Sequence, residues 1–173
     1  MLSQSLSTKY VQAARLESFL LIRTQYLRPY CFSSISALNE KQFQQAKHFL
    51  GSCSGYLLGA ANPLRGNGLS VLKSEEVVGA WEFYIDVQKE FLVLVAMGTL
   101  LSDSLSFKRS NNFLMSEAMF CLMLDFAKSL EIDKLCYSNP NSSFLKMFDR
   151  FVRYGWVSQS ERLENGESLH IIK

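Results

Sequence analysis

The eleven residues from Phe91 to Leu101 are almost wholly apolar. The run is about half the length of a membrane span, so it suits a strand covered on both faces rather than a bilayer helix. Such a strand needs a sheet with material packed on each side, which restricts the chain to layered folds. The 173 residues fit one domain spanning 1–173. A domain of that size buries roughly 70% of its unfolded surface, enough to fold without a metal or a disulfide. With 48% apolar and 20% charged residues the chain lies far from the disordered class.

The neighbouring segments define the sheet. Leu69–Lys73 reads as a strand, Ser74-Glu75-Glu76 as a tight turn and Val77–Asp86 as the returning strand. In that strand Trp81, Phe83 and Ile85 alternate with Glu82, Tyr84 and Asp86, which predicts one apolar and one partly polar face. Gly55–Gly59 is a further short strand, and Asn62–Gly68 is a loop by composition.

Two helices precede these strands. Thr8 to Tyr26 carries Val11, Ala14, Leu16, Phe19, Leu20 and Ile22 as an apolar face, and Pro29 ends it. A second helix runs to Leu50, with Ser36 as the expected cap. Beyond the apolar run, Ser102–Asn112 is polar and loop-like, and Phe113–Leu130 has helical spacing. Lys134–Ser138 is a short strand. A helix capped by Ser142 or Ser143 then runs to about Tyr154, with Phe144, Leu145, Phe148, Phe151 and Val152 inward. Val157–Arg162 and Ser168–Ile172 form a hairpin around Asn165-Gly166. The order predicts an α+β fold.

Several function classes are disfavoured. The net charge of +2 lacks the concentrated basic face of nucleic-acid binders. Cys31, Cys53, Cys121 and Cys136 are widely spaced, and with only two histidines they argue against a zinc site. The free cysteines and the polar first residues point to a cytoplasmic protein that does not use a membrane.

The stretch from Phe113 to Trp156 resembles the GNAT superfamily of N-acyltransferases. The residues that carry the likeness are Phe126-Ala127-Lys128-Ser129-Leu130, the strand Asp133–Tyr137, the turn Asn139-Pro140-Asn141 and the closing Gly155-Trp156. Ala118–Ala127, with Arg150, Arg153, Gly155 and Trp156, is also similar to the acyl-homoserine-lactone synthases, a branch of that fold. The resemblance implies a mixed, mostly antiparallel central sheet flanked by helices, parted between two strands to admit a thioester. The donor would be acyl-CoA or an acylated acyl carrier protein, and the acceptor an amine on a small molecule or a protein. No metal is implied.

The same resemblance assigns residues. Backbone groups at Val95 and Met97 would pair with the donor's pantetheine amides. Arg109, Asn111 and Asn112 would bind its phosphates, and Asn141, after the next strand, would also contact the donor. The family's glycine-rich loop appears here as Arg109-Ser110-Asn111-Asn112-Phe113-Leu114, with Asn112 and Leu114 in the glycine places. The position of the family's acidic tyrosine is Phe148, which has no proton to give, leaving Tyr137 and Tyr154 as alternatives.

Acyl transfer to an amine also needs a base. Glu82, in mid-strand between apolar strands that would raise its pKa, is the first candidate. Asp103 is the second, implied only by the resemblance to the lactone synthases, whose acidic residue before Ser-Arg-Phe it matches in Asp103-Ser104-Leu105-Ser106-Phe107. Phe113, Met115, Met119, Phe120 and Met123 either line an acyl pocket or simply pack the core. Two further readings stand beside the enzyme. One is a binding or regulatory protein that kept the fold and lost the chemistry, and the other is a structural subunit that forms a homodimer.

Overall fold

A computed structural model describes residues 15–50, 68–86, 91–137, 142–162 and 168–172. In chain order the elements are α1 (residues 15–24), β1 (Tyr30–Ser34), a 3-10 turn (Ile35–Ala37), α2 (Glu40–Leu50), β2 (Gly68–Lys73), β3 (Glu76–Asp86) and β4 (Phe91–Thr99). Next come α3 (Leu101–Asn111), α4 (Met115–Ser129), β5 (Lys134–Tyr137), α5 (Ser142–Arg153), β6 (Val157–Arg162) and β7 (Ser168–Ile172). The strands form one sheet in the order β1-β2-β3-β4-β5-β7-β6. Among the described residues, β1–β2, β2–β3, β5–β7 and β7–β6 pair antiparallel and β4–β5 pairs parallel.

The described residues fall into two compact units. One runs through Glu82 of β3 and resumes over Ala96–Met123. The other comprises Phe83–Val95 and the chain from Leu124 onward.

In the first unit, α1 buries Leu16, Leu20 and Thr24 at a spacing of four. Ile22, expected inward, is exposed: the residues buried on this helix form a single i, i+4 stripe, narrower than the face read from sequence. Val11 and Ala14 lie outside the described residues. The Glu17 carboxylate accepts the Ser34 backbone N–H at 2.6 Å, which ties α1 to β1.

The α2 cap differs from expectation. Asn39 Oδ1 accepts the Gln42 N–H at 2.9 Å, and Gln42 Oε1 accepts the Asn39 N–H at 3.1 Å, a reciprocal capping box. Ser36 instead shares a hydrogen bond of 2.9 Å with Ser34. Beneath α2, Ile35, Leu38, Ala46, Leu50, Leu72, Val77 and Ala80 form an apolar cluster flanked by Phe43 and Phe49.

The β2–β3 hairpin turns at Ser74 and Glu75, which have φ of 50° and 67°. Two consecutive left-handed residues match the right-handed twist of the paired strands. Val77 through Phe83 are buried without interruption. The polar face expected in β3 is therefore absent at Glu82, because both sides of the strand are covered. The expected strand at Gly55–Gly59 lies outside the described residues.

Ser102–Asn112, expected as a loop, is the helix α3 with its cap. One buried side chain, Phe107, anchors it, with ring centroids 5.2 Å from Tyr30, 6.2 Å from Phe32 and 5.5 Å from Phe113. In α4, Met115, Met119, Phe120 and Met123 are fully buried, and Phe120 lies 5.6 Å from the Trp81 ring, so these residues act as core.

In the second unit, β5 pairs with β7 and β7 with β6. Met147, Phe148 and Phe151 of α5 point inward, whereas Leu145, expected there, is exposed. The side chain of Phe144 and the turn at Asn165-Gly166 lie outside the described residues. The end of α5 explains the Gly155-Trp156 signature. Gly155 has φ of 76°, its N–H reaches the Val152 carbonyl at 3.0 Å, and the Trp156 N–H reaches the Phe151 carbonyl at 3.1 Å. This is a Schellman cap, and its hydrophobic clasp is Trp156 stacked on Phe151 at 5.3 Å.

Candidate active site

β4 and β5 pair in parallel from Phe91↔Lys134 to Leu94↔Tyr137. β5 ends at Tyr137, while β4 continues as a strand through Thr99. Val95 and Met97, expected to meet the donor, thus lie on β4 beyond its last pairing with β5 among the described residues; residues 138–141, which follow β5, lie outside them.

Glu82 is 1% exposed and stands across from Gly68 in the β2–β3 register. Its carboxylate is held out of water in the strand that also buries Trp81 and Phe83. Asp103 sits in the first turn of α3. Its carboxylate is 3.5 Å from the Lys73 ammonium, and its backbone carbonyl accepts the Tyr30 hydroxyl at 3.2 Å. Lys73 in turn lies over the Tyr30 ring at 5.7 Å. These contacts fasten α3 to β1 and β2.

The residues expected to hold phosphates occupy a helix end rather than an open loop. Arg109 Nη2 donates to Ser106 Oγ at 3.2 Å, back along α3. Asn111 Nδ2 donates to the Phe107 carbonyl at 3.1 Å. Asn112 is left-handed, with φ of 64°, but its N–H closes α3 on the Lys108 carbonyl at 2.8 Å. The asparagine in the first glycine place is thus the C-cap of a helix. Leu114 precedes α4, and its N–H donates to Glu117 Oε2 at 3.4 Å. Sequence reasoning passed over Glu117, although a glutamate three residues past a helix start is half of a capping box. Asn141 lies outside the described residues.

In the second unit Tyr137, Phe148 and His170 form a ring cluster. Phe148 lies 5.3 Å from Tyr137 and 4.5 Å from His170, and Tyr137 stacks on His170 at 5.5 Å. His170 is 3% exposed, and neither ring nitrogen has a hydrogen-bond partner. Burial holds its pKa below the ordinary 6.5. Below pH 6.5 the unfolded chain therefore binds a proton that the folded chain refuses, so stability falls as pH drops from 6.5 toward the lowered folded value. His170→Phe is expected to raise the melting temperature more at pH 5.5 than at pH 7.5. Equal shifts at the two pH values would show that the imidazole does not titrate in this way.

The fold has clear counterparts among solved structures. A GNAT-family acetyltransferase from Staphylococcus aureus aligns with 83% of this chain and 98% of its own, at a TM-score of 0.54 and 10% identity. An acetyltransferase from Streptococcus agalactiae aligns with 84% of this chain and 98% of its own, at 0.55 and 13%. The ribosomal-protein-S18-alanine N-acetyltransferase from Escherichia coli aligns with 83% and 90%, at 0.51 and 10%. No family model and no curated protein sequence matches the chain. The chain has the GNAT fold: a mixed, mostly antiparallel sheet flanked by helices. Among the described residues no helix is long and apolar enough to cross a membrane.

Proposed function

We propose that this chain is an N-acyltransferase that moves an acyl group from a thioester to an amine. The observation that carries the reading is the alignment of 83% of the chain with nearly the full length of a GNAT-family acetyltransferase. β4 runs on through Val95 and Met97 past its last described pairing with β5, at Leu94↔Tyr137, and backbone groups on that stretch would suit a pantetheine arm.

In this reading the donor's amides pair with β4 at Val95 and Met97. Glu82 accepts the proton of the attacking amine, and its nitrogen bonds to the thioester carbonyl carbon. As the tetrahedral intermediate collapses, the C–S bond breaks and the leaving thiolate takes a proton from the Tyr137 hydroxyl. The two proton transfers balance, since Glu82 gains one and Tyr137 loses one until solvent restores both. Glu82 is preferred over Asp103 as base because it is the more deeply buried carboxylate, 1% exposed as a residue against 14% for the Asp103 side chain.

Glu82→Gln is expected to lower turnover by about 10²–10⁴-fold while donor binding is retained, as for loss of a general base. Steady-state turnover measured beside calorimetric donor binding checks this, and unchanged turnover removes Glu82 from the mechanism.

A second reading, a protein that binds thioesters without transferring the acyl group, is favoured by Phe148. This ring is buried where the family resemblance puts an acidic tyrosine. Donor binding with no turnover across a panel of amines would decide for it.

A further inference from the structure

Among the described residues, the groups nominated for a donor diphosphate at Arg109, Asn111 and Asn112 are engaged by the chain itself. The Asn112 N–H closes α3, Asn111 donates to the Phe107 carbonyl and Arg109 turns back to Ser106. At the start of α4, where unsatisfied N–H groups and the helix dipole attract anions, the Leu114 N–H already faces a carboxylate. That carboxylate belongs to Glu117, a half-buried residue in the first turn of the same helix. Asn112 also ends α3, whose last turn presents carbonyl groups toward the segment between the helices. Lys108 and Arg109 sit in that last turn and offset its partial charge.

We propose that Glu117 occupies the anion seat of α4 from within, so that the donor is recognised through its pantetheine arm and not through a nucleotide diphosphate. The inference rests on the thioester-dependent reading above and narrows its substrate class. A pantetheine thioester, whether borne by a carrier protein or by coenzyme A, satisfies the site, and the adenine nucleotide adds nothing. Glu117 is thereby a specificity-determining residue. It disfavours a second anion by charge, and its carboxylate already takes the N–H that the phosphate would need.

Calorimetric titration of the full chain with acetyl-pantetheine, acetyl-CoA and adenosine 3′,5′-bisphosphate tests this. The two thioesters are expected to bind within about threefold of one another, and the bisphosphate not at all, because the Glu117 carboxylate opposes a second anion at the start of α4. In Glu117→Gln, which keeps the side-chain acceptor but removes the charge, acetyl-CoA is expected to gain about three- to tenfold relative to acetyl-pantetheine. A merely structural glutamate would shift both thioesters alike. Binding of acetyl-CoA a hundredfold tighter than acetyl-pantetheine in the wild-type chain would overturn the inference and leave the transferase reading standing. So would competition by the bisphosphate. If acetyl-pantetheine binds as expected but no amine is acylated, the transferase reading falls and the recognition of the arm stands. If neither thioester binds, both fall.

Discussion

Phe107→Ala is expected to lower the unfolding free energy by about 3–5 kcal/mol, among the largest single-residue effects in the chain. Phe107 is fully buried and is the sole buried residue of α3. Its ring meets Tyr30, Phe32 and Phe113, so truncation leaves a hole bounded by three aromatic rings that α3 cannot collapse to fill. For a chain of this size the loss corresponds to a fall in melting temperature of roughly 6–20 °C. Phe107→Leu, which keeps most of the volume, should lose no more than about 1.5 kcal/mol. Thermal unfolding of the two variants beside wild type checks the prediction. A shift under 2 °C for Phe107→Ala would mean, given the usual scaling, that the cluster does not hold α3 in place.

Gly98→Ala is expected to be nearly as damaging, for the opposite reason. A β-carbon at Gly98 would stand 2.6 Å from the Phe49 carbonyl oxygen, 3.1 Å from its Cβ and 3.2 Å from its carbonyl carbon. Two of these atoms are backbone near the end of α2, so no rotamer change relieves the clash. Either β4 or the last turn of α2 must shift, which puts the loss near 3 kcal/mol, or about 6–12 °C. Gly98→Val should exceed it. If Gly98→Ala melts like wild type, the close approach of α2 to β4 is not maintained in solution.

Both residues mark the limits of what sequence patterning reveals. Strands β2, β3 and β4 were legible because β-branched and aromatic residues are dense there and turn residues bracket them. The helix α3 was not, since Leu101–Asn111 is rich in Ser, Asp and Asn, which compete with the helix for backbone hydrogen bonds. One buried ring and a left-handed asparagine cap override that preference. β1 was missed because five residues between a proline and a short turn carry too little alternation to register.

The candidate site was partly legible for a related reason. Glu82 stood out as a charge in mid-strand, but its burial depends on cover over both faces of β3, which no local pattern encodes. Glu117 stayed hidden because reading Arg109–Leu114 as a free loop made an external anion the natural partner for its N–H groups. Once those residues are seen to finish one helix and open the next, the partner is internal. His170 offered no signal, as a histidine amid Leu169, Ile171 and Ile172 reads as an ordinary strand residue.

The boundary between the two compact units falls inside β3, β4 and α4, at Glu82/Phe83, Val95/Ala96 and Met123/Leu124. Each unit is thus stitched from separate stretches of polypeptide, and the chain passes between them three times in the middle of regular structure. No single cut releases either one as a continuous peptide, and any gene fragment encoding one unit must sever two strands and a helix. A fragment that keeps every described strand and helix entire must therefore span both units.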